Sequence, residues 1–251
     1  MSGSTSTRFV LCAAVCLFAR VAGAATPDAG APAAPGVPPA STDDGLSPSK
    51  TCLQNLHERG VDFAEVPATK GVRTGIRLAG ANLGPLRLVI LDRRAGGVMP
   101  VMDCELGRAL LDAAAVFVNE GIRDLFFSGI YEYRPRRHSK KLSEHAHGLA
   151  IDVHQFGTAD GRIFDVQRDF EQGVGDWDAR DQVACVGSPE HPEGRILREL
   201  ACALRVSTAF REIITGDDNS DHDNHFHIES FPDPLSRAKA ILSHREPTTD
   251  D

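Results

Sequence analysis

The sequence predicts an α+β fold, and three observations carry that expectation. Some segments repeat apolar residues at helical spacing and others at the two-residue period of strands. The two kinds do not alternate regularly, as a parallel α/β sheet would require. The 251 residues are 41% hydrophobic and 25% charged, which suits one globular domain carrying some non-globular sequence.

The non-globular part comes first. After Arg8 the run FVLCAAVCLF leads to Ala22-Gly23-Ala24, a small-residue cleavage pattern, so residues 1–24 are expected to be an export signal. The run falls short of the roughly 20 apolar residues of a membrane span, so the mature chain is expected to have no transmembrane segment and to reside in the periplasm or cell envelope. Residues 25–48 are rich in Ala, Pro and Gly without apolar periodicity, which makes them a disordered spacer. The domain is then expected over residues 49–246, with 247–251 as a disordered tail.

Within the domain, SKTCLQNLHERG reads as a helix stopped by Gly60. Pro85–Asp92 (PLRLVILD) reads as a strand. Asp103 can cap a helix to Asn119, because Leu106, Leu110, Ala114 and Phe117 recur at helical spacing. Asp124–Tyr133 is a second strand, ending in the basic turn RPRRHSKK. Gly148–Phe156 is a third, and Asp160-Gly161 marks a hairpin into RIFDV. An acidic excursion follows from Arg168 to Glu193. Then come a helix over Glu193–Val206, short strands over Arg211–Thr215 and HFHIES, and a closing helix, LSRAKAILSHR.

Charge and cysteine content exclude some roles. Removing residues 1–24 takes away two arginines and no acid, so the formal charge moves from −8 to −10. Such a chain is a poor partner for nucleic acid, which needs clustered Lys and Arg to neutralise phosphates. Four cysteines remain, Cys52, Cys104, Cys185 and Cys202, an even number that favours two disulfides in an exported chain. Spacing does not fix their connectivity; the expected pairs are Cys52–Cys104 and Cys185–Cys202. A zinc site made of all four lacks C-x-x-C pairs.

Six of the ten histidines lie in two short windows, SEHAHGLAIDVH and SDHDNHFHIES. On a strand GLAIDVHQF, Leu149, Ile151 and Val153 face one way and Ala150, Asp152 and His154 the other. An acid in mid-strand is disfavoured without a partner, and small Ala150 leaves room beside it. His145 sits on the preceding loop, which Gly148 can turn back over that face. In HFHIE, Phe226 and Ile228 form the buried row, and His225, His227 and Glu229 the other. If the two strands are neighbours, His145, Asp152 and His227 converge as a zinc shell with an open fourth position. His57, His138, His191 and His244 read as surface residues, and His147 and His154 as supporting or structural ones.

These residues resemble a known pattern. Ser143-x-His145-x-x-Gly148-x-Ala150-x-Asp152 followed by His225-x-His227 is similar to the metal motif of the superfamily of D-Ala-D-Ala metallopeptidases, lysostaphin-type peptidases and the hedgehog signalling domain. More narrowly, CLQNLHERGVDF, VMDCELGRALL, YEYRPRR, LSEHAHGLAIDV and DNHFHIES, in that order, resemble the extensin-like C-terminal domain family, over roughly Cys52 to Phe231. The resemblance implies one Zn²⁺ per chain held by His145, Asp152 and His227, and a small antiparallel sheet flanked by helices, hedgehog/DD-peptidase-like. It also implies a peptidase acting on peptidoglycan. His222-x-x-His225-x-His227 resembles the penicillin-insensitive murein endopeptidases, in which the two non-ligand histidines belong to the active site; His225, then His222, are the candidate catalytic residues.

The chain departs from these patterns at two places. The extensin-like pattern usually has a cysteine where Tyr133 or Glu132 stands. D-Ala-D-Ala dipeptidases carry an acid where this chain has Asn224. Of Arg134, Arg136 and Arg137, Arg134 is the candidate clamp for a substrate carboxylate. Two rival readings are a non-catalytic zinc-containing cell-wall-binding module and a non-haem iron oxygenase. The oxygenase triad usually begins with closely spaced H-x-D/E, unlike the separation here.

Overall fold

The structure, a computed structural model, describes residues 48–91, 96–137, 139–179 and 181–243. The segments read as export signal, spacer (up to residue 47) and tail, together with His138 and His244, lie outside the described residues. Helix α1 (Pro48–Glu58) opens the domain. A three-stranded antiparallel sheet follows, β1 (Phe63–Glu65), β2 (Gly75–Leu78) and the later β5 (Met102–Asp103), in the order β1-β2-β5. The sequence reading had no strand in this region, because three short, Gly- and Arg-containing segments carry too few residues for a period of two to show.

The larger sheet positions the site. Its strands are β3 (Asn82–Leu83), β4 (Leu86–Ile90), β6 (Ile122–Gly129), β7 (Ala150–Thr158), β10 (Phe226–Ser230) and β9 (Phe210–Ile214), in that order, with β8 (Ile163–Asp165) paired to β7. All pairs are antiparallel except β4 with β6. That parallel pair needs a long crossover, supplied by β5, α2 (Cys104–Asp112) and α3 (Ala114–Asn119). The architecture is α+β, with a mixed larger sheet and a smaller antiparallel one.

One face of the large sheet is the core wall. Leu88, Leu125, Phe127, Ile151, Val153, Phe156, Phe226 and Ile228 are all essentially inaccessible to solvent. The long helix α6 (Pro192–Val206) buries Leu197, Leu200, Ala201 and Leu204, and α2 buries Leu106, Leu110 and Leu111. The predicted helix from Asp103 to Asn119 is in fact two. The break falls at buried Ala113, whose carbonyl accepts both Val116 N (2.9 Å) and Phe117 N (3.3 Å), so the ladder is shared between two spacings. Asp103 caps α2 as expected: Oδ1 accepts from Glu105 N (3.0 Å), and Oδ2 from the N–H groups of Arg73 (3.1 Å) and Thr74 (3.0 Å).

Both disulfides join the expected partners, Cys52 to Cys104 and Cys185 to Cys202. The first ties α1 to α2, and the second ties α5 (Gln182–Val186) to α6. The acidic excursion begins in α4 (Val166–Asp169) and contains α5, and it is pinned by Arg198, whose side chain is fully buried. The guanidinium donates to the carbonyls of Val186, Cys185 and Glu171 and to Asp217 Oδ2, each at 2.7–2.8 Å. Helix α7 (Pro234–Ser243) ends the described chain. Among the described residues, no helix is long and apolar enough to cross a membrane.

Candidate metal centre

Strands β7 and β10 are antiparallel neighbours, and their register sets His227 opposite Asp152 and Glu229 opposite Ala150. Alternation turns Ile151, Val153, Phe226 and Ile228 into the core, so Asp152 and His227 emerge side by side on the other face. Ala150, opposite Glu229 in that register, is fully buried.

His145 reaches the same point from a 3₁₀ turn, Glu144–His147. Ser143 starts that turn by accepting from His145 N, and Gly148 ends it at φ +67°. Gly148 is needed twice over. A side chain disfavours that φ, and a Cβ there would lie 2.7 Å from the Asp103 backbone nitrogen. The predicted strand over Gly148–Phe156 therefore starts two residues later, at Ala150. The strand predicted to run to Tyr133 stops at Gly129, and the next residue's freed carbonyl, Ile130 O, receives the His145 ring at 2.9 Å.

The three predicted ligands converge. His145 Nε2 lies 3.1 Å from Asp152 Oδ1 and 3.3 Å from His227 Nδ1, and His227 Nδ1 lies 2.7 Å from Asp152 Oδ1. Each outer ring nitrogen has an acceptor: His145 Nδ1 has the Ile130 carbonyl, and His227 Nε2 has Glu229 Oε1 at 3.0 Å. Those bonds leave the inward nitrogens as lone pairs facing a carboxylate, an arrangement that calls for a cation or a proton at its centre. Donors around a tetrahedral zinc sit about 3.3 Å apart when the bonds are about 2.0–2.1 Å long. The residues fit such an ion.

The electrostatics agree. Burial opposes the ionised form of Asp152, but hydrogen bonds from His145 and His227 outweigh it and hold the carboxyl well below the usual range. Burial likewise opposes a charged His227, yet hydrogen bonds to Asp152 and Glu229 raise its pKa to about 9. In the metal-free chain a proton on His227 thus serves as the cation between two carboxylates.

Around this centre lies a row of further imidazoles. His225 Nε2 is 3.5 Å from Asp152 Oδ1, and its Nδ1 is 2.7 Å from Asn224 Oδ1. Burial lowers the His225 pKa to about 4 and also lowers that of His222. The rings of His222 and His225 are centred 5.0 Å apart, and those of His225 and His154 are 5.1 Å apart. His154 Nε2 is bonded to Ser128 Oγ at 2.8 Å, and His147 Nδ1 to the Gly71 carbonyl at 2.9 Å.

The arginines of the basic turn each have an acidic partner. Arg134 is paired with Glu132 at 2.7 Å, and Arg137 with Asp221 at 2.9 Å. Arg136 reaches the carboxylate behind His227, lying 3.3 Å from Glu229, and also lies 3.4 Å from Glu144. Arg211 joins the same network through Glu144 at 2.8 Å. Sequence reasoning missed Glu229, Glu144, Arg136 and Arg211 as supports. The signal for Glu229 was present, since it shares the outward row with His225 and His227.

The family model described as Extensin-like protein C-terminus matches residues 50–233. No curated protein and no solved structure matches the chain. With the match covering most of its length, including His145, Asp152 and His227, the chain belongs to the extensin-like C-terminal family.

Proposed function

We propose that this protein is an exported zinc-dependent hydrolase, a peptidoglycan peptidase that cleaves stem-peptide or cross-link amide bonds in the periplasm or cell envelope. The observation that carries the reading is the convergence of His145 Nε2, Asp152 Oδ1 and His227 Nδ1 with a third imidazole, His225, whose Nε2 lies 3.5 Å from Asp152 Oδ1. This arrangement supports placing the centre with the D-Ala-D-Ala metallopeptidases, the lysostaphin-type peptidases and the hedgehog domain. A zinc ion held by the three residues supplies Lewis acidity to an amide carbonyl and acidifies water.

The remaining chemistry belongs to the chain's own groups. His225 is half-buried and neutral at pH 7, with Nδ1–H turned to Asn224 Oδ1 and Nε2 turned to the centre. It is placed to take a proton at Nε2 from the attacking water and return it to the departing amine. His222, its Nδ1–H turned to Asn219 Oδ1 at 2.6 Å, is the second candidate base, with Nε2 left to accept a proton. Arg134 is 41% exposed on the basic turn, where it can exchange Glu132 for a substrate carboxylate.

A second reading, a zinc-containing cell-wall-binding module without turnover, is favoured by one feature: Asn224 occupies the place where a related enzyme carries an acid. The two readings part on digestion of purified sacculi, with chromatography of the released peptides. For the peptidase, His227→Ala loses metal and activity, while His225→Ala keeps metal and loses about 100-fold or more in rate. Stoichiometric zinc with sacculus binding but no released peptide from wild type would establish the binding module instead.

A further inference from the structure

Strand β9 is the outermost strand of the large sheet. It pairs with β10 on one side, and among the described residues no other backbone group bonds to Phe210–Ile214. The N–H and C=O groups turned away from β10 are therefore left as a template for a further strand. The other edge strands of this sheet are blunted by their length, two residues in β3 and three in β8, whereas β9 has five. Its side-chain alternation is also interrupted. Glu229 stands opposite Glu212 but Ser230 opposite Phe210, so Arg211 is the extra residue of a bulge. Alternation alone would turn Arg211 inward with buried Ile213, and the bulge delivers it to the surface instead.

The Phe210 end of the strand borders a cavity of about 510 Å³. Phe210, Phe231 and Ile241 supply apolar wall, Arg205 and Arg211 supply charge, and no described acidic residue lines it. A smaller cavity of about 180 Å³ reaches along β9 to Ile213; the same two arginines line it, but so do Glu212 and Asp218. Negative charge on a ligand is thus favoured in the larger one. Arg205 lies over the Trp177 ring at 4.7 Å, and its ionic partner, Asp178, is 95% exposed and so easily exchanged. Arg211 gives Nη1 to Glu144 at 2.8 Å, and its other guanidinium nitrogens have no bond among the described residues. The turn between the two arginines takes Thr208 to φ +56°, a costly conformation for a β-branched residue. Arg237 Nε holds it there by donating to the Thr208 carbonyl at 2.9 Å.

We propose that the outer edge of β9 takes an extended peptide as an added strand, with a free carboxylate of that peptide received by Arg205 and Arg211 in the larger cavity. A peptide is the occupant because a strand edge offers alternating main-chain donors and acceptors, which another extended backbone matches. A carboxylate is required because the cavity sets two guanidiniums and no acid in a chain whose formal charge is −8. The apolar wall takes the side chain next to that carboxylate. The site does not rest on the hydrolase reading and holds with or without turnover at the metal centre.

The test is fluorescence anisotropy of the full chain in chelator, so that no metal ion binds or cuts the probe. The probe is a labelled pentapeptide of alternating valine and alanine with a free terminal carboxylate. Amidating that carboxylate should weaken binding about tenfold. Arg205→Gln should lose the same factor and no longer distinguish acid from amide. Methylating every second peptide nitrogen of the probe should abolish binding in one of the two phases and spare it in the other, since only one set of N–H groups faces β9. These probe changes leave the protein untouched, so the outcome stands even if Arg205→Gln does not fold. No binding by wild type, equal affinity for acid and amide, or equal binding of both methylated phases overturns the proposal. So does a chain ending at Ser243 that binds the probe more than about tenfold tighter, because residues 244–251 would then be the occupant. Sedimentation run alongside covers the last case: a dimer that the probe dissociates would make a second copy the occupant and overturn the reading of a separate peptide.

Discussion

The Nε2 of His227 lies 3.0 Å from Oε1 of Glu229, two residues along the same strand and nearly sealed from water. A carboxylate behind a ligating imidazole fixes the ring's tautomer and makes the inward nitrogen more basic. Glu229→Gln keeps the shape and removes the charge. It should weaken zinc binding about 10- to 100-fold, read by competition with a chromophoric chelator. Unchanged affinity would show that Glu229 serves packing alone.

The metal-free chain should lose stability as the solution becomes alkaline. The folded pKa of His227 is raised from 6.5 to about 9. Its contribution is thus fully present below about pH 6.5 and is lost as pH rises through about 9. Asp152 has the opposite sign: its depressed folded pKa gives stability above the ordinary carboxylate range that is lost on acidification. Thermal melts in chelator should show wild type declining between pH 6.5 and 9 while His227→Gln stays flatter. Parallel slopes in the two proteins would remove the assigned role of that proton. Zinc affinity should rise over the same interval, because binding displaces the proton.

Gly148→Ala should be costly to both stability and metal binding. The residue sits at φ +67°, and the added Cβ would meet the Asp103 backbone nitrogen at 2.7 Å, where no flexible side chain can yield. We expect a loss of about 2–3 kcal/mol from denaturant midpoints, together with weaker zinc binding as the turn carrying His145 shifts. A variant with wild-type affinity would mean that the turn is held by its other bonds.

Arg198→Ala should be among the most damaging changes away from the centre. It deletes a fully buried guanidinium that joins three carbonyls, and it leaves Asp217 Oδ2 without its cation. Breaking such a pair costs about 3–5 kcal/mol, measurable by urea unfolding. A loss below about 1 kcal/mol would show that water replaces the guanidinium there.

Part of the centre was legible in the chain because its determinants are local. A strand repeats every two residues, so AIDVH and HFHIE announce which side chains face outward without knowledge of any partner. The cap at Asp103 and the hairpin at Asp160-Gly161 are likewise short-range signals. The pairing of the four cysteines came out as expected, although spacing alone leaves it open.

What sequence could not supply is which strands meet and in what register. Asp152 and His227 are 75 residues apart, and their apposition depends on β7 and β10 burying one shared core face. A slip of one residue would send His227 inward. The break at Ala113, the short strands of the smaller sheet, the Ile130 carbonyl and the Arg136–Glu229 contact belong to the same class. They are set by the packing of distant segments, whose free energy is a property of the assembled core and not of any window along the chain.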